Sequence, residues 1–500
     1  MNKEEKLEEE IQGIENNQED EEKKEGQKDK LVSLALESAE LFHDQFDNPF
    51  AHIKIEKSTG KRIEHIEGKF FKIWLGYLYY KQIGRVSSSE AIRSAINTLS
   101  GQARFKGGKY ILHNRVAWHE EAIWYDLCDE NWQAIKITSN GWEIVKDPPI
   151  LFRRYSHQSP QVIPEEKNGD IEKLKKYINI SENDSWILTK VWLVHALIPD
   201  SPHPIPVNYG DHGTGKSIKE KLSRRLVDPS ELEVMDFPSK KDELIQTLAH
   251  HWFLPFDNVS QISDQISDSL CRAITGSGSS KRELYSNDED VVYKFKRCIS
   301  LNGINIVAQK PDLLDRCLLI ELQRIPKENR CTEKELLEAF EKDRPNIFGG
   351  MLDALSHAMS LVKKINIKYK PRMADFAEWG EAIAQAMGYD ENVFLKAYFR
   401  NIKSQYAEAI EAHLIGQTIV KLMEDKIEWT GNSTELLNEL NKIATDSKIN
   451  ITDKAWPKAP NVLTRRINEI KTNLSEIGIC ATQDRTSIKR GWIIEKELEK

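Results

Sequence analysis

Cysteine is scarce in this chain and widely scattered. The six thiols at 128, 271, 298, 317, 331 and 480 stand too far apart to form a metal knuckle or a redox pair. They point instead to core packing in a reducing, cytoplasmic setting. Long apolar runs are missing as well. The most apolar stretch, Trp186 to Ile198, is thirteen residues long and is interrupted by Thr189, Lys190 and His195. It is too short to span a bilayer and reads as a buried helix, so no membrane partner is expected. No signal peptide is expected either, because the first apolar cluster, Leu31 to Leu41, lies behind a charged tail. Net charge is also small. Of the formal −8, −6 belongs to residues 1–30, where twelve Asp/Glu face six Lys/Arg. The remaining 470 residues are nearly neutral, so a nucleic-acid partner would have to meet a local basic surface. There are no internal repeats.

The tail over 1–30 is rich in Glu, Lys, Gln and Asn with almost no apolar side chains. It cannot offset its ordering entropy and is expected to be disordered. Residues 31–161 read as an N-terminal α+β domain. The block is helical at first, with apolar residues throughout 69–81 and at helical spacing over 89–99, followed by three short strands (122–128, 132–138, 142–145) separated by Asp-Glu-Asn and Ser-Asn-Gly turns. Trp118, Trp124, Trp132 and Trp142 in this meander are core side chains or faces for base stacking. The acidic residues here, Glu120, Glu121, Asp126, Asp129 and Glu130, form no Asp-x-Asp pair to hold two metals, which argues against a polymerase or primase. A Pro/Glu/Gly-rich stretch over 159–169 reads as a linker, and residues 162–185 as linker and entry to the next domain.

That next domain, 186–326, carries the strongest signal. Residues 210–217 read Gly-Asp-His-Gly-Thr-Gly-Lys-Ser, entered by an extended apolar run (203–209) and followed by Ile218, Leu222 and Leu226 at helical spacing. This is the pattern of a phosphate-binding loop that holds ATP. Gly210, Gly213 and Gly215 let backbone N–H groups converge on an anion at a helix N-terminus, with Asp211, His212 and Thr214 completing the loop. Lys216 would reach the terminal phosphates and Ser217 would ligate Mg²⁺. A second apolar run ends in Asp257, the natural metal-side carboxylate. Asn258 follows it, and an amide orients water but cannot take its proton. A third run ends at Asn302, placed to sense the γ-phosphate or hold the water, unless Asn302-Gly303 is only a turn. Arg316, at the start of a fourth run, either reaches a neighbouring subunit's nucleotide or forms a surface ion pair.

Residues 327–427 read as a helical subdomain. Residues 428–500 read as helix, helix and a two-stranded wing, a winged-helix pattern. The segment is locally basic: Arg465, Arg466, Lys471, Arg485, Lys489 and Arg490 stand against Glu469, Glu476 and Asp484. A helix exposing Arg465 and Arg466 could enter a DNA groove, with the wing on the backbone, although many winged helices bind only protein.

The order of phosphate loop, Asp257, Asn302 and Arg316 resembles an AAA+ ATPase, and more narrowly the superfamily 3 helicases of viruses, phages and plasmids. Asp257-Asn-Val-Ser260, Thr275-Gly-Ser-Gly278, Lys281-Arg-Glu-Leu-Tyr285, Leu301-Asn-Gly303, Asp312-Leu-Leu-Asp-Arg316 and Arg372-Met-Ala-Asp-Phe376 are similar to the motors of mobile-element primase-helicases. The resemblance covers roughly 170–500. It implies an α/β fold with a P-loop AAA+-type motor, and a DNA helicase or translocase acting in replication. It also implies a homo-oligomeric ring, a hexamer, with ATP and Mg²⁺ between subunits. On the family pattern Lys281 and Arg282 adjoin a hairpin over 286–293 that grips single-stranded DNA in the pore. Lys294, Lys296 and Arg297 are alternatives, and all of these cations also fit a solvated strand edge. The second reading from the residues is a nucleotide-gated DNA-binding switch, an initiator or a defence ATPase, without processive unwinding.

Overall fold

In the computed structural model the described residues are 26–54, 61–276, 279–282, 290–293, 296–308, 310–486 and 489–496. The chain divides into two compact units. The first holds residues up to 115 together with 126–135 and 144–156; the second holds 116–125, 136–143 and everything from 157 on.

In the first unit a helix, Gln27–Ser38, leads into a mixed sheet in which Ala39–His43, Pro49–Lys54 and Lys61–His65 pair antiparallel and Gly108–Lys109 joins Ala39–His43 in parallel. Two further helices follow, Lys69–Ile83 and Ser89–Phe105. The first ends on Gly84 in the left-handed region (φ 71°), and the second starts on Ser88, whose hydroxyl accepts from the Ala91 N–H. Leu31, Ala35, Ile53, Phe71, Leu75, Ala95 and Leu99 close one core between the helices and the sheet. Helix Gln27–Ser38 begins within the stretch expected to be disordered up to residue 30; residues 1–25 lie outside the described part.

The expected three-strand meander is a four-stranded sheet with Val116–His119 added at one edge. Its four tryptophans each find a partner or a buried place within the chain. Trp124 is buried, Trp118 donates to the Pro199 carbonyl (3.0 Å), Trp142 donates to Asp353 (2.8 Å), and Trp132 lies under the Arg154 guanidinium at 3.8 Å. Asp126 is paired with Arg154 at 2.6 Å.

The second unit is built on a five-stranded parallel sheet: β1 (Ile205–Tyr209), β2 (Met235–Asp236), β3 (Phe253–Asp257), β4 (Cys298–Asn302) and β5 (Cys317–Glu321), in the order β2-β3-β4-β1-β5. The register aligns Asn208 with Asn302 and Ile320, and Phe256 with Leu301. The strands are buried almost throughout, as near-continuous apolar runs in a parallel sheet require. Helix α1 (Asn183–His195) is buried from Ser185 to its end, and α2 (Lys216–Val227) connects β1 to the rest of the sheet. The single apolar stripe expected on α2 is wider than the sequence spacing indicates. Leu222 and Leu226 are buried, but so are Lys219, Glu220 and Arg224, while Ile218 is only partly covered.

Helix α3 (Glu333–Leu361) starts on a Thr332–Glu335 capping box and contains Pro345, and α4 (Ala374–Ala386) and α5 (Val393–Glu411) follow. α5 is followed by a separate helix, α6 (Leu414–Leu422). Beyond them come β6 (Glu428–Gly431), α7 (Ser433–Asp446), α8 (Pro460–Glu476), β7 (Ile479–Thr486) and β8 (Lys489–Lys496), with sheet order β6-β8-β7. The hairpin of the sequence reading thus gains a third strand, and Ile415 and Ile419 of α6 share one core with Leu436, Leu463, Ile467 and Trp492. Among the described residues no helix is long and apolar enough to cross a membrane.

Candidate functional site

Parallel strands end together, and in such sheets the loops beyond their C-terminal ends are where ligands bind. Here the loop after β1 and the ends of β3 and β4 enclose a cavity of about 320 Å³, lined by residues 212–218, Asp257, Asn258 and 302–304. The loop conformation rests on its glycines, with φ of 140° at Gly210, 77° at Gly213 and 87° at Gly215. A Cβ on Gly210 would lie 2.3 Å from the Leu322 carbonyl oxygen, so no larger residue fits there without moving backbone. Gly215 is the cap of α2 and supplies no side chain to its first N–H groups, which remain available to an anion.

Lys216 Nζ turns back over the loop, donating to the carbonyls of Gly210 (2.7 Å) and Asp211 (2.8 Å) and to Thr214 Oγ1 (3.2 Å). Partial burial lowers its pKa, against the pull of Asp257 and Asp211. The Ser217 hydroxyl donates to Asp257 Oδ1 at 3.2 Å. Asn302 is 2% exposed; its Oδ1 accepts the Asn258 N–H (2.9 Å), and its Nδ2 has no partner. Lys216, Ser217, Asp257 and Asn302 are therefore brought together at one cavity. Asp211 and His212 are exposed at the rim.

These residues fit a Mg²⁺–nucleotide. Among the described residues no three His, Cys, Asp or Glu side chains cluster as a metal cage. A magnesium ion held by one hydroxyl and one carboxylate, with phosphate and water as its other ligands, is the arrangement magnesium favours. When bound, it would neutralise charge on the phosphates; Ser217 and Asp257 would hold it. The buried Asn302 amide would give its unpartnered N–H to a phosphate oxygen or a water.

Beneath the loop sits a buried polar cluster that apolar periodicity could not announce. Glu220, 1% exposed, accepts from Asn208 and Ser300 on neighbouring strands. Burial raises its pKa, against Lys219, Ser300 and Asn208, and burial lowers that of Lys219 to about 8. A Glu one turn into a helix that follows a glycine loop gives only a weak sequence signal. Arg330, whose guanidinium lies 3.7 Å from where a Cβ on Gly213 would be, is likewise unheralded.

Arg316 is not in this cavity. It precedes β5 at the opposite end of the sheet, where its carbonyl accepts the Ile205 N–H. Its guanidinium pairs with Asp312 at 2.8 Å, and Arg372 pairs with Asp312 and with Asp315 (3.0 Å). Burial raises the Asp312 carboxyl, but hydrogen bonds from Arg316, Cys271 and Arg372 outweigh it and hold the pKa at about 2.

Lys281 and Arg282 lie on the first strand of an antiparallel hairpin, Ser279–Arg282 with Asp290–Tyr293, rather than before it. Their side chains, and residues 283–289 and 294, lie outside the described part. Lys296 and Arg297 are tied to backbone, Lys296 to the Asp200 carbonyl and Arg297 to that of Leu248 (2.8 Å). On α8, Arg465 is well exposed, but Arg466 is partly covered and bound to Glu469 at 2.9 Å, so the two do not share one open face. Arg485 pairs with Arg490 and Thr486 with Lys489 across the β7–β8 hairpin; the side chains of Arg485, Lys489 and Arg490 lie outside the described part.

Residues 171–403 match the family model of the actinomycete integrative conjugative element replication protein, and residues 415–499 match that of the RepA C-terminal domain of these elements. No curated protein sequence matches the chain. Among solved structures, the apo NrS-1 C-terminal region is 15% identical, with a TM-score of 0.42, covering 93% of this chain and 98% of that one. A JCV helicase with a bound acetamide ligand is 12% identical, with a TM-score of 0.23, covering 45% of this chain and 66% of that one. From Ile171 to its last strand, therefore, the chain is similar to the replication proteins of mobile conjugative elements.

Proposed function

We propose that the chain is an ATP-dependent DNA helicase or translocase that replicates a mobile element, with ATP and Mg²⁺ held in the 210–217 loop and hydrolysed between subunits of a homo-oligomeric ring. The observation that carries this reading is the convergence of Lys216, Ser217, Asp257 and Asn302 on one cavity at the C-terminal ends of a parallel sheet. Lys216 would exchange its loop carbonyls for phosphate oxygens, and the loop N–H groups would cradle the charge. Arg316, at the far end of the same sheet, serves a neighbour's nucleotide rather than its own. The hairpin bearing Lys281 and Arg282 contacts single-stranded DNA. The 428–496 fold acts as a winged helix on DNA through Arg465 and the Arg485, Lys489 and Arg490 hairpin.

The test is ATP hydrolysis by Lys216→Ala and Arg316→Ala, alone and mixed, with and without single-stranded DNA. Each variant alone should lose at least a hundredfold in rate. An equimolar mixture should regain activity, because some interfaces would then join an intact Lys216 to an intact Arg316. Wild-type activity that is independent of protein concentration, or a mixture as dead as its parts, would sink the shared site.

One observation favours the second reading, a nucleotide-gated switch. Among the described residues Asp257 is the single carboxylate lining the cavity, and Asn258 beside it cannot accept the proton of an attacking water. Tight ATP binding with negligible, DNA-independent turnover would select that reading.

A further inference from the structure

Neither family model reaches the residues before 171, yet the first unit contains a markedly basic segment. Between 61 and 115, eleven Lys and Arg stand against three Glu, an excess of eight. Two of those acids are already engaged, Glu64 by Arg62 at 2.5 Å and Glu67 by Arg104 at 3.6 Å. The positive field is therefore not neutralised within the segment.

Helix Lys69–Ile83 gives that field a shape. Phe71, Leu75 and Tyr79 fix its inner face in the core of the first unit. The 3.6-residue period then turns Lys69, Ile73, Tyr77 and Tyr80 outward, flanked by Lys72 and Lys81. Ile73, Tyr77 and Tyr80 are 62%, 60% and 56% exposed, far more than a packed helix of this composition needs. Arg85 follows, also exposed.

We propose that this face binds single-stranded nucleic acid, with Tyr77 and Tyr80 as stacking platforms for bases and Lys69, Lys72 and Arg85 along the phosphates. Aromatic rings interleaved with cations are the chemistry of single-strand binding. A duplex would satisfy the cations but keep its base faces from the rings. A protein partner fits less well, because lysine is depleted from protein interfaces. A lipid surface wants a broad apolar stripe, whereas here two of the three large outward side chains carry a hydroxyl. The proposal does not rest on nucleotide chemistry, so a failed ATPase assay leaves it standing.

The test uses the full chain without nucleotide and a 20-mer oligothymidylate carrying 5-iododeoxyuridine, with oligouridylate and duplex as comparisons. Photo-cross-links mapped by mass spectrometry should fall on Tyr77 or Tyr80. Tyr77→Ala with Tyr80→Ala should weaken binding at least tenfold, and should do so equally in an Arg465→Ala/Arg466→Ala background, which removes the α8 contribution. Lys69→Gln with Lys72→Gln should flatten the salt dependence by roughly 0.7 for each phosphate that is no longer neutralised. Oligothymidylate against oligouridylate shows which strand the face takes. All four side chains are exposed, so melting should not change; should a variant unfold, the wild-type cross-link decides. Cross-links confined to other segments with affinity within twofold would overturn the proposal. So would duplex competing as well as single strand, or the tyrosine pair affecting only subunit association or binding to anionic vesicles.

Discussion

At the residue scale, the site depends on backbone that only certain side chains permit. Gly210 and Gly213 both have positive φ, but their surroundings differ. A Cβ at 210 meets the Leu322 carbonyl at 2.3 Å, and one at 213 meets nothing nearer than the Arg330 guanidinium at 3.7 Å. Gly213→Ala should therefore cost only the left-handed strain, about 1 kcal/mol, while Gly210→Ala adds a backbone clash and should cost about 3 kcal/mol with loss of nucleotide binding. Thermal melts of the two variants check the ranking, and equal losses would contradict it. The glycine loop, Asp257 and Asn302 were legible in the sequence because each is a residue type demanded at the end of an apolar run. Asn258 was legible only as a departure. Its φ of 51° adds a conformational reason for the amide, since Asn tolerates the left-handed region better than Glu does. The Glu220 cluster was illegible because its partners, Asn208 and Ser300, meet it only through strand order.

At the element scale, the segment read as a linker is a docked strap. Ser159 donates to the Pro229 carbonyl (3.0 Å), Glu165 to that of Pro345 (3.1 Å) and Asp170 to that of Asn346 (3.1 Å). Arg344, buried in α3, donates to Gln161 Oε1 at 2.7 Å and to the Arg225 carbonyl at 2.8 Å. Backbone meets backbone at Gly349 and Gly350. A Cβ on Gly350 would lie 2.7 Å from the N atoms of Asp170 and Ile171, and one on Gly349 2.5 Å from the Glu165 carbonyl oxygen. Helical spacing of Ile347, Met351, Leu355 and Met359 shows the packed stripe of α3 but not why two helix-weakening glycines interrupt it. They make room for the strap. Gly350→Val should therefore destabilise by about 2–4 kcal/mol despite improving helix propensity, read as a fall in melting temperature. A variant as stable as wild type would mean that the strap is not held there. The same limit explains the boundary read at residue 161: strand spacing showed a meander, but not that Tyr125 donates to the Val227 carbonyl and Ser356 to that of Thr138.

At the scale of the whole molecule, the second unit is built around neutral histidines. His195 and His203 are fully buried and meet through their Nδ1 atoms at 2.9 Å, and Ser201 lies 3.0 Å from His195 Nε2. His251 accepts from Arg224 Nη2 at 2.8 Å, next to the buried Arg224–Asp228 pair. Burial holds His203 at about 3, assisted by Lys296. Burial together with the Arg224 charge holds His251 at about 3, and burial puts His195 well below its usual range. In each case the unfolded chain binds a proton near pH 6.5 that the folded chain refuses. The stabilisation is complete above pH 6.5 and is lost as pH falls, down to about 3 for His203 and His251. Between pH 6.5 and 5.5 each histidine should cost about 1 kcal/mol. Glu220, raised by burial, works in the opposite sense above 4.5 and offsets at most one of these protons. The expected net contribution of these three histidines and Glu220 is a loss of about 2–3 kcal/mol, measured as the shift in urea midpoint between pH 6.5 and 5.5. His251→Gln keeps an acceptor for Arg224 while removing one titrating group, and should reduce the shift by about a third. A midpoint that does not move over that interval would mean that these rings take up protons without unfolding, and that the core around them is open to water.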